Sequence, residues 1–419
     1  MLVAERRGSG VWPGHPSGGV VSRSAPRLSE RALVLQESAI RKLDLVVATQ
    51  RDTEFLRLNI GQPDVPTPRP LLDAVAAFQP EVVAYGPASG TMACREAAAQ
   101  YMQRWCAELG PFDVAVTTGG SEALLFAFTA ICDPGDEIIV LEPYYTNYNG
   151  FATVAGARIQ AVPTSLADGF AIPSDDVLDQ FVTPRTKAIV FSNPGNPTGG
   201  VYGREALERL GRWAERHNLF VISDEVYRRI WFEAPPTSML ELPQFADRVV
   251  IVDSLSKTWS ACGARLGFLV SRNAELMEKV ERLGQARLGP QPLAQAMGIA
   301  ALGLAEGYYE EIRQTYRGRV EALYGALDDM PGVSTHRPEG AFYFMVDLPL
   351  DDSEAFARWL VTDFRDNGQS VVVAPGGGFY SEPERGRTQV RLAAVNDEAT
   401  LTRAGEILAN ALRAYPGTR

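Results

Sequence analysis

RVVIVDSLSKTWSACG, residues 248–263, followed by Ala264-Arg265-Leu266-Gly267, carries the densest information in this chain. A β-branched run from Val249 to Val252 ends in Ser254-Leu255-Ser256-Lys257, and Arg265 follows eight residues after the lysine, framed by Gly263 and Gly267. β-Branched side chains suit a buried, pleated strand. A lysine at the mouth of such a strand is poorly solvated, which favours a nucleophilic amine. The hydroxyls of Ser254 and Ser256 and the guanidinium of Arg265 offer donors to a phosphate. By itself a Ser-x-Ser-Lys turn is equally a solvated lysine after an ordinary core strand, with Arg265 in a surface ion pair. The ends of the other strands shift that balance.

At 419 residues the chain is long enough for two domains, and its 46% hydrophobic content is that of a globular protein. A net charge of −11 leaves no electrostatic footprint for nucleic acid. The longest apolar runs fall far short of a membrane span. Cys94, Cys106, Cys132 and Cys262 show neither pairing nor metal spacing, which suits reduced thiols in a cytoplasm. Three scattered histidines (His15, His217, His336) argue against a histidine triad or zinc site, so proton transfer is expected from another residue type.

Residues 1–28, rich in Gly, Pro and Ser, read as a mobile arm, and a helix is expected over Ser29–Gln50. From Pro70 to about Ala305 strands and helices alternate. Apolar strands are expected at Asp113–Thr117, Glu137–Leu141, Arg158–Val162, Lys187–Phe191, Leu219–Ile222, Val249–Val252 and Leu266–Val270. Such alternation predicts an α/β fold, with a mainly parallel seven-stranded sheet between helices and ligands beyond the strands' carboxyl ends. Helical spacing of Ile312, Tyr316, Val320, Leu323 and Leu327 predicts a long helix over Tyr308–Met330. The remainder reads as a smaller α+β domain. The expected division is an arm (1–28), an N-terminal part of the small domain (29–63), a large domain (64–307) and the C-terminal small domain (308–419).

Four strand ends carry chemistry. Thr118-Gly119-Gly120-Ser121 is either a capped βα turn or an anion site, with Ser121 as cap and hydroxyl donor. Tyr145, in EPYYTNY, could stack on a flat ring or simply pack. The loop SNPGNPTGG (192–200) has two Asn-Pro steps that stiffen it and can aim Asn196 inward. Asp224, in DEVY, can hold a pyridine nitrogen protonated or else cap a helix, and Tyr227 reaches the same face if a helical turn begins there.

A nucleophilic lysine beside a phosphate site is what a pyridoxal 5'-phosphate enzyme needs: one group for the aldehyde, another for the phosphate handle. With SNPGNPTG, SDEVY, SLSKTWSACGARLG, PEGAFY and VRLA in this order, the chain from about Ser29 onward resembles the class I/II aminotransferases. These belong to the aspartate aminotransferase superfamily of pyridoxal-phosphate fold type I, and the motifs are similar to its bacterial aspartate aminotransferase-like branch. The resemblance implies that Lys257 forms the Schiff base and acts as general base and acid. It pairs Asp224 with the pyridine nitrogen, gives Asn196 and Tyr227 the phenolic oxygen, and gives Tyr145 the stacking position. Gly120, Ser121, Ser254 and Arg265 match the phosphate cup, with Ser256 assisting. Tyr85 matches the tyrosine that reaches the neighbouring subunit's phosphate, which implies a homodimer. Arg391 matches the clamp on the substrate α-carboxylate, assisted by Asn196 and the backbone of Gly61.

The expected activity is ping-pong transfer of an amino group between an L-amino acid and a 2-oxo acid. The alternative is a pyridoxal-phosphate lyase or natural-product enzyme on the same fold, performing elimination, replacement or carbon–carbon bond formation. A pyridoxal-phosphate-binding transcriptional regulator needs a DNA-binding domain ahead of this region, for which about 28 residues are too few. Departures from the pattern fall at Thr258-Trp259, at Gly289 and Gln291, and in the Tyr85 loop, all expected near the substrate or the subunit interface. Arg41, Lys42 and Arg287 are candidates for a distal substrate carboxylate, though each also suits an ordinary surface role.

Overall fold

The computed structural model describes residues 26–35 and 42–419. Residues 26–35 belong to a separate unit, whose described residues form one short helix, Glu30–Leu33, capped by Ser29. The helix expected over Ser29–Gln50 is therefore corrected: Asp44–Thr49 is a second short helix, and the residues between lie outside the described ones.

Strand β1 (Glu54–Arg57) precedes the main sheet. That sheet is built from β2 (Val114–Thr117), β3 (Glu137–Glu142), β4 (Arg158–Pro163), β5 (Thr186–Ser192), β6 (Phe220–Asp224), β7 (Val249–Ser254) and β8 (Gly267–Val270). Five more follow: β9 (Ser334–Thr335), β10 (Tyr343–Asp347), β11 (Gln369–Val372), β12 (Ala374–Pro375) and β13 (Gln389–Ala393). The main sheet has the order β2-β8-β7-β6-β5-β3-β4, and β8 runs antiparallel to both its neighbours while the other pairings are parallel. All seven expected strands are present, with ends displaced by one or two residues.

Period-two alternation splits the buried side chains of each strand between two packed faces. Ile138, Val140, Val190, Ile222, Val250 and Val252 enter one core, while Ile139, Leu141, Ile189, Phe191, Val221, Val249 and Ile251 enter the other. Helices cover both faces, including α1 (Gly120–Ile131), α2 (Ala274–Arg287) and the long α3 (Glu306–Asp328). The buried row on α3 contains the five residues expected from spacing, with Tyr309 and Arg319 added. The chain's end forms an antiparallel sheet β12-β13-β10-β9 and a parallel pair β1-β11, backed by α4 (Glu398–Ala414). Among the described residues no helix is long and apolar enough to cross a membrane.

Candidate active site

The parallel strands end along one edge of the main sheet, and antiparallel β8 begins at that same edge. Register brings Thr117, Gly267 and Ser254 abreast on β2, β8 and β7, and Ser192 and Asp224 abreast on β5 and β6. Backbone pairing thus delivers the turns after β2, β5, β6 and β7 to one place. They line a cavity of about 510 Å³. Every expected site residue except Tyr85 borders it: Gly61, Gly120, Ser121, Tyr145, Asn196, Asp224, Tyr227, Ser254, Ser256, Lys257, Arg265 and Arg391. Tyr85 stands apart with its side chain 85% exposed.

At the end of β2 the chain must pass close to its neighbours. A Cβ on Gly267 would lie 2.5 Å from the carbonyl carbon of Gly119 and 2.6 Å from the nitrogen of Gly120. Gly119 has φ of 77°, and a side chain there would meet the Arg265 guanidinium at 2.6 Å. The glycines therefore press the start of α1 against β8 and leave room for Arg265 above it. Gly119 occupies the cap position and Ser121 lies one residue inside the helix, so the expected capping role of Ser121 is not realised. Ser254 Oγ accepts the Ser256 amide at 3.3 Å, and Arg265 Nη1 donates to the Cys262 carbonyl at 3.1 Å. Among the described residues Arg265 pairs with no carboxylate. Unpaired cation, two hydroxyls and a helix start make a fitting cradle for a phosphate.

Asp224 closes the other end. It is the last residue of β6 and is followed by turns rather than a helix, so neither the helix cap nor the helical turn expected for Tyr227 forms. Instead the Val226 amide donates to Asp224 Oδ1 at 3.4 Å and the Tyr148 hydroxyl to Oδ2 at 3.3 Å. Burial pushes the carboxyl up to about 7 despite these donors. A cationic N–H inside the cavity would restore the carboxylate, which is what a protonated heteroaromatic ring offers. Arg228 bridges Glu225 (3.0 Å) and Asp253 (2.5 Å), so these neighbouring buried acids share a direct counter-ion and, among the described residues, Asp224 has no ion-pair partner.

Lys257 lies between these ends, half-buried, with Nζ donating to the Gly61 carbonyl at 2.7 Å. Arg391, on β13, is 1% exposed. Its Nη1 donates to Asn196 Oδ1 at 3.1 Å and its Nη2 to the Asn59 carbonyl at 2.6 Å, while Nε has no partner. Rings of Tyr343 and Phe379 flank it at 4.5 and 5.0 Å. Burial holds the guanidinium below its ordinary range, yet no carboxylate among the described residues meets it. A buried cation without a counter-ion fits a carboxylate brought by a ligand.

Several partners escaped the sequence reading. Tyr148 reaches Asp224, Asn147 donates to the Tyr145 hydroxyl at 2.8 Å, and the Tyr343 and Tyr227 hydroxyl oxygens lie 2.9 Å apart. PEGAFY marked the place of Tyr343, but nothing local ties it to Tyr227, 116 positions away. The departures at Thr258 and Trp259 do not face the cavity. Trp259 is buried against Tyr101 and Tyr309 and donates to the Ala301 carbonyl, and the Thr258 carbonyl accepts from Tyr308. Of the distal-carboxylate candidates, Arg41 lies outside the described residues, Lys42 pairs with Glu354, and Arg287 pairs with Glu122.

Comparison with known proteins agrees with this geometry. Residues 53–407 match the family model described as aminotransferase class I and II. An aspartate aminotransferase of Thermotoga maritima is 33% identical over 334 residues, which are 79% of this chain and 85% of that protein. An arginine–pyruvate transaminase of Pseudomonas aeruginosa is 32% identical, covering 78% and 84% of the two chains. The crystal structure of a Thermotoga maritima aspartate aminotransferase superposes with a TM-score of 0.85 at 30% identity, over 92% of this chain and all of the other. The chain therefore belongs to the class I and II aminotransferases and has the architecture of pyridoxal-phosphate fold type I.

Proposed function

We propose that the protein binds pyridoxal 5'-phosphate at this cavity and moves an amino group from an L-amino acid to a 2-oxo acid by a ping-pong mechanism. The observation that carries the reading is the convergence of Lys257, an unneutralised Asp224 and a counter-ion-free Arg391 on one cavity. When bound, pyridoxal phosphate supplies an aldehyde to the amino group and a pyridinium that accepts electrons. The residues assigned to hold it are Gly120, Ser121, Ser254, Ser256 and Arg265 at the phosphate, Asp224 at the ring nitrogen, Tyr145 at the ring face, and Asn196 and Tyr227 at the phenolic oxygen.

Arg391 orients the amino acid through its α-carboxylate, and Asn196 and the Gly61 backbone help fix that end. Oriented so, the Cα–H lies within the reach of a single base, and orientation alone removes much of the barrier. Lys257 is that base. Its Nζ already sits inside the cavity on a flexible four-carbon stem, and among the described residues no histidine borders the site. Asp224 stays ionised when a cation faces it, and Tyr227 would donate a hydrogen bond to the phenolic oxygen, favouring its anionic form.

We propose further that the protein is a homodimer in which Tyr85 completes the partner's phosphate site, a reading supported by its exposure and its distance from the lining of its own cavity. Division into a large domain (64–307) and a small domain (42–63 with 308–419; the expected start at 29 falls in the separate unit), and a cytoplasmic location suited to four unpaired cysteines, complete the reading. Absorbance of the purified protein tests it. A visible band that disappears on adding a single amino acid, with release of the matching 2-oxo acid, is expected. Ammonia release, or a band that survives Lys257→Ala, would overturn it.

A further inference from the structure

We propose that Tyr343 is a positioning residue whose hydroxyl forms the outer half of a two-phenol relay, setting how strongly Tyr227 donates into the cavity. The inference rests on the pyridoxal-phosphate reading above and deepens it.

Tyr343 opens β10 and is 2% exposed. Its hydroxyl oxygen lies 2.9 Å from that of Tyr227, its one hydrogen-bond partner among the described residues. The backbone opposite is cut away to admit this hydroxyl: a Cβ on Gly61 would fall 1.9 Å from it. The same ring lies over the Arg391 guanidinium at 4.5 Å. Tyr343 thus links the residue assigned to the phenolic oxygen with the residue assigned to the substrate carboxylate.

Proton counting fixes the direction of the relay. Each phenol has one proton to give. When Tyr227 donates to an anionic oxygen in the cavity, the hydrogen bond between the two tyrosines persists only if Tyr343 donates to Tyr227. Bonds chained in this way polarise one another, so Tyr227 becomes the stronger donor. Burial pushes the Tyr227 phenol well above its ordinary range, so it remains a proton donor throughout. The charged and titratable groups facing the pair are Asp224 at the end of β6, Tyr145 after β3, Lys257 after β7, Tyr316 on α3 and Arg391 on β13.

The test is a pH titration of the visible absorbance band of the pyridoxal-phosphate-loaded protein. Wild type, Tyr343→Phe, Tyr227→Phe and the double variant are compared, with circular dichroism as the check on folding. A weaker Tyr227 donor stabilises the anionic oxygen less, so the proton shared with it is held more tightly and the midpoint rises. Tyr343→Phe should raise the midpoint by about half a pH unit or more, the size of one ordinary hydrogen bond. The double variant should titrate with Tyr227→Phe alone, since a relay has nothing to act on once Tyr227 has lost its hydroxyl. A folded Tyr343→Phe with the wild-type midpoint, or a shift that adds in full to that of Tyr227→Phe, would overturn the relay while leaving the cofactor reading intact. A wild-type protein that acquires no pH-sensitive visible band would overturn both.

Discussion

Asp224 is the residue whose environment is most out of balance. In the cofactor-free protein burial places its folded pKa at about 7, well above the ordinary carboxyl value that applies in the unfolded chain. The folded state then holds more protons than the unfolded state between those values. Stability therefore falls as pH rises through that window and levels off above it, by about 4 kcal/mol in all. Asp224→Asn should flatten this slope and raise the melting temperature of the cofactor-free protein above neutrality, although it removes a residue assigned to the cofactor. Thermal unfolding of both proteins on either side of neutrality checks the sign. Arg391 makes the converse prediction for the loaded enzyme. Arg391→Lys keeps the charge but loses the planar fork, so KM for the amino acid should rise roughly 100-fold. Steady-state kinetics would show this as a KM effect larger than the kcat effect.

At the scale of elements, the phosphate cradle exists because β2, β8 and β7 finish in register and glycine lets them approach. Gly267 is the tightest point, since its Cβ would sit within 2.6 Å of two backbone atoms at the start of α1. Gly267→Ala should cost about 1–3 kcal/mol through forced separation of α1 from β8. Cofactor affinity should weaken with it, because the displaced backbone is the one assigned to the phosphate. Denaturant midpoints and a cofactor titration measure the two effects separately. Gly263 is the contrasting position: nothing lies within 4 Å of a Cβ there, so Gly263→Ala should leave stability nearly unchanged.

For the whole molecule, the decisive question is whether each site is shared between subunits. Lys257→Ala and Tyr85→Ala subunits, each prepared alone, should be strongly impaired. Mixed and allowed to exchange, they form heterodimers holding one site with both Lys257 and the partner's Tyr85. Random pairing makes about a quarter of all sites intact, and activity should return to that level. An activity equal to the mean of the two separate variants would mean that each site is complete within its own chain.

What was legible in the sequence was whatever is local. The alternation of apolar strands and helices, the glycine and Asn-Pro turns and the Ser-Leu-Ser-Lys segment depend on neighbouring residues. They located the seven strands and, with the family resemblance, twelve of the residues that line the cavity. The chain's backbone preferences could not fix events at longer range. Whether Ser121 or Gly119 caps α1 depends on how tightly β8 packs alongside, at Gly267. Trp259 sits two residues from the lysine in sequence, yet its ring packs into the core against Tyr101 and Tyr309 and away from the cavity, a placement that contacts from distant segments decide. The pairing of Tyr343 with Tyr227, and the isolation of Arg391 from every carboxylate among the described residues, come from packing the sheet that holds β10 and β13 against the strand ends of the main sheet. Motif grammar is a property of short-range sterics and named the groups; burial, register and the absence of a counter-ion are properties of the packed chain, and only the tertiary structure decided them.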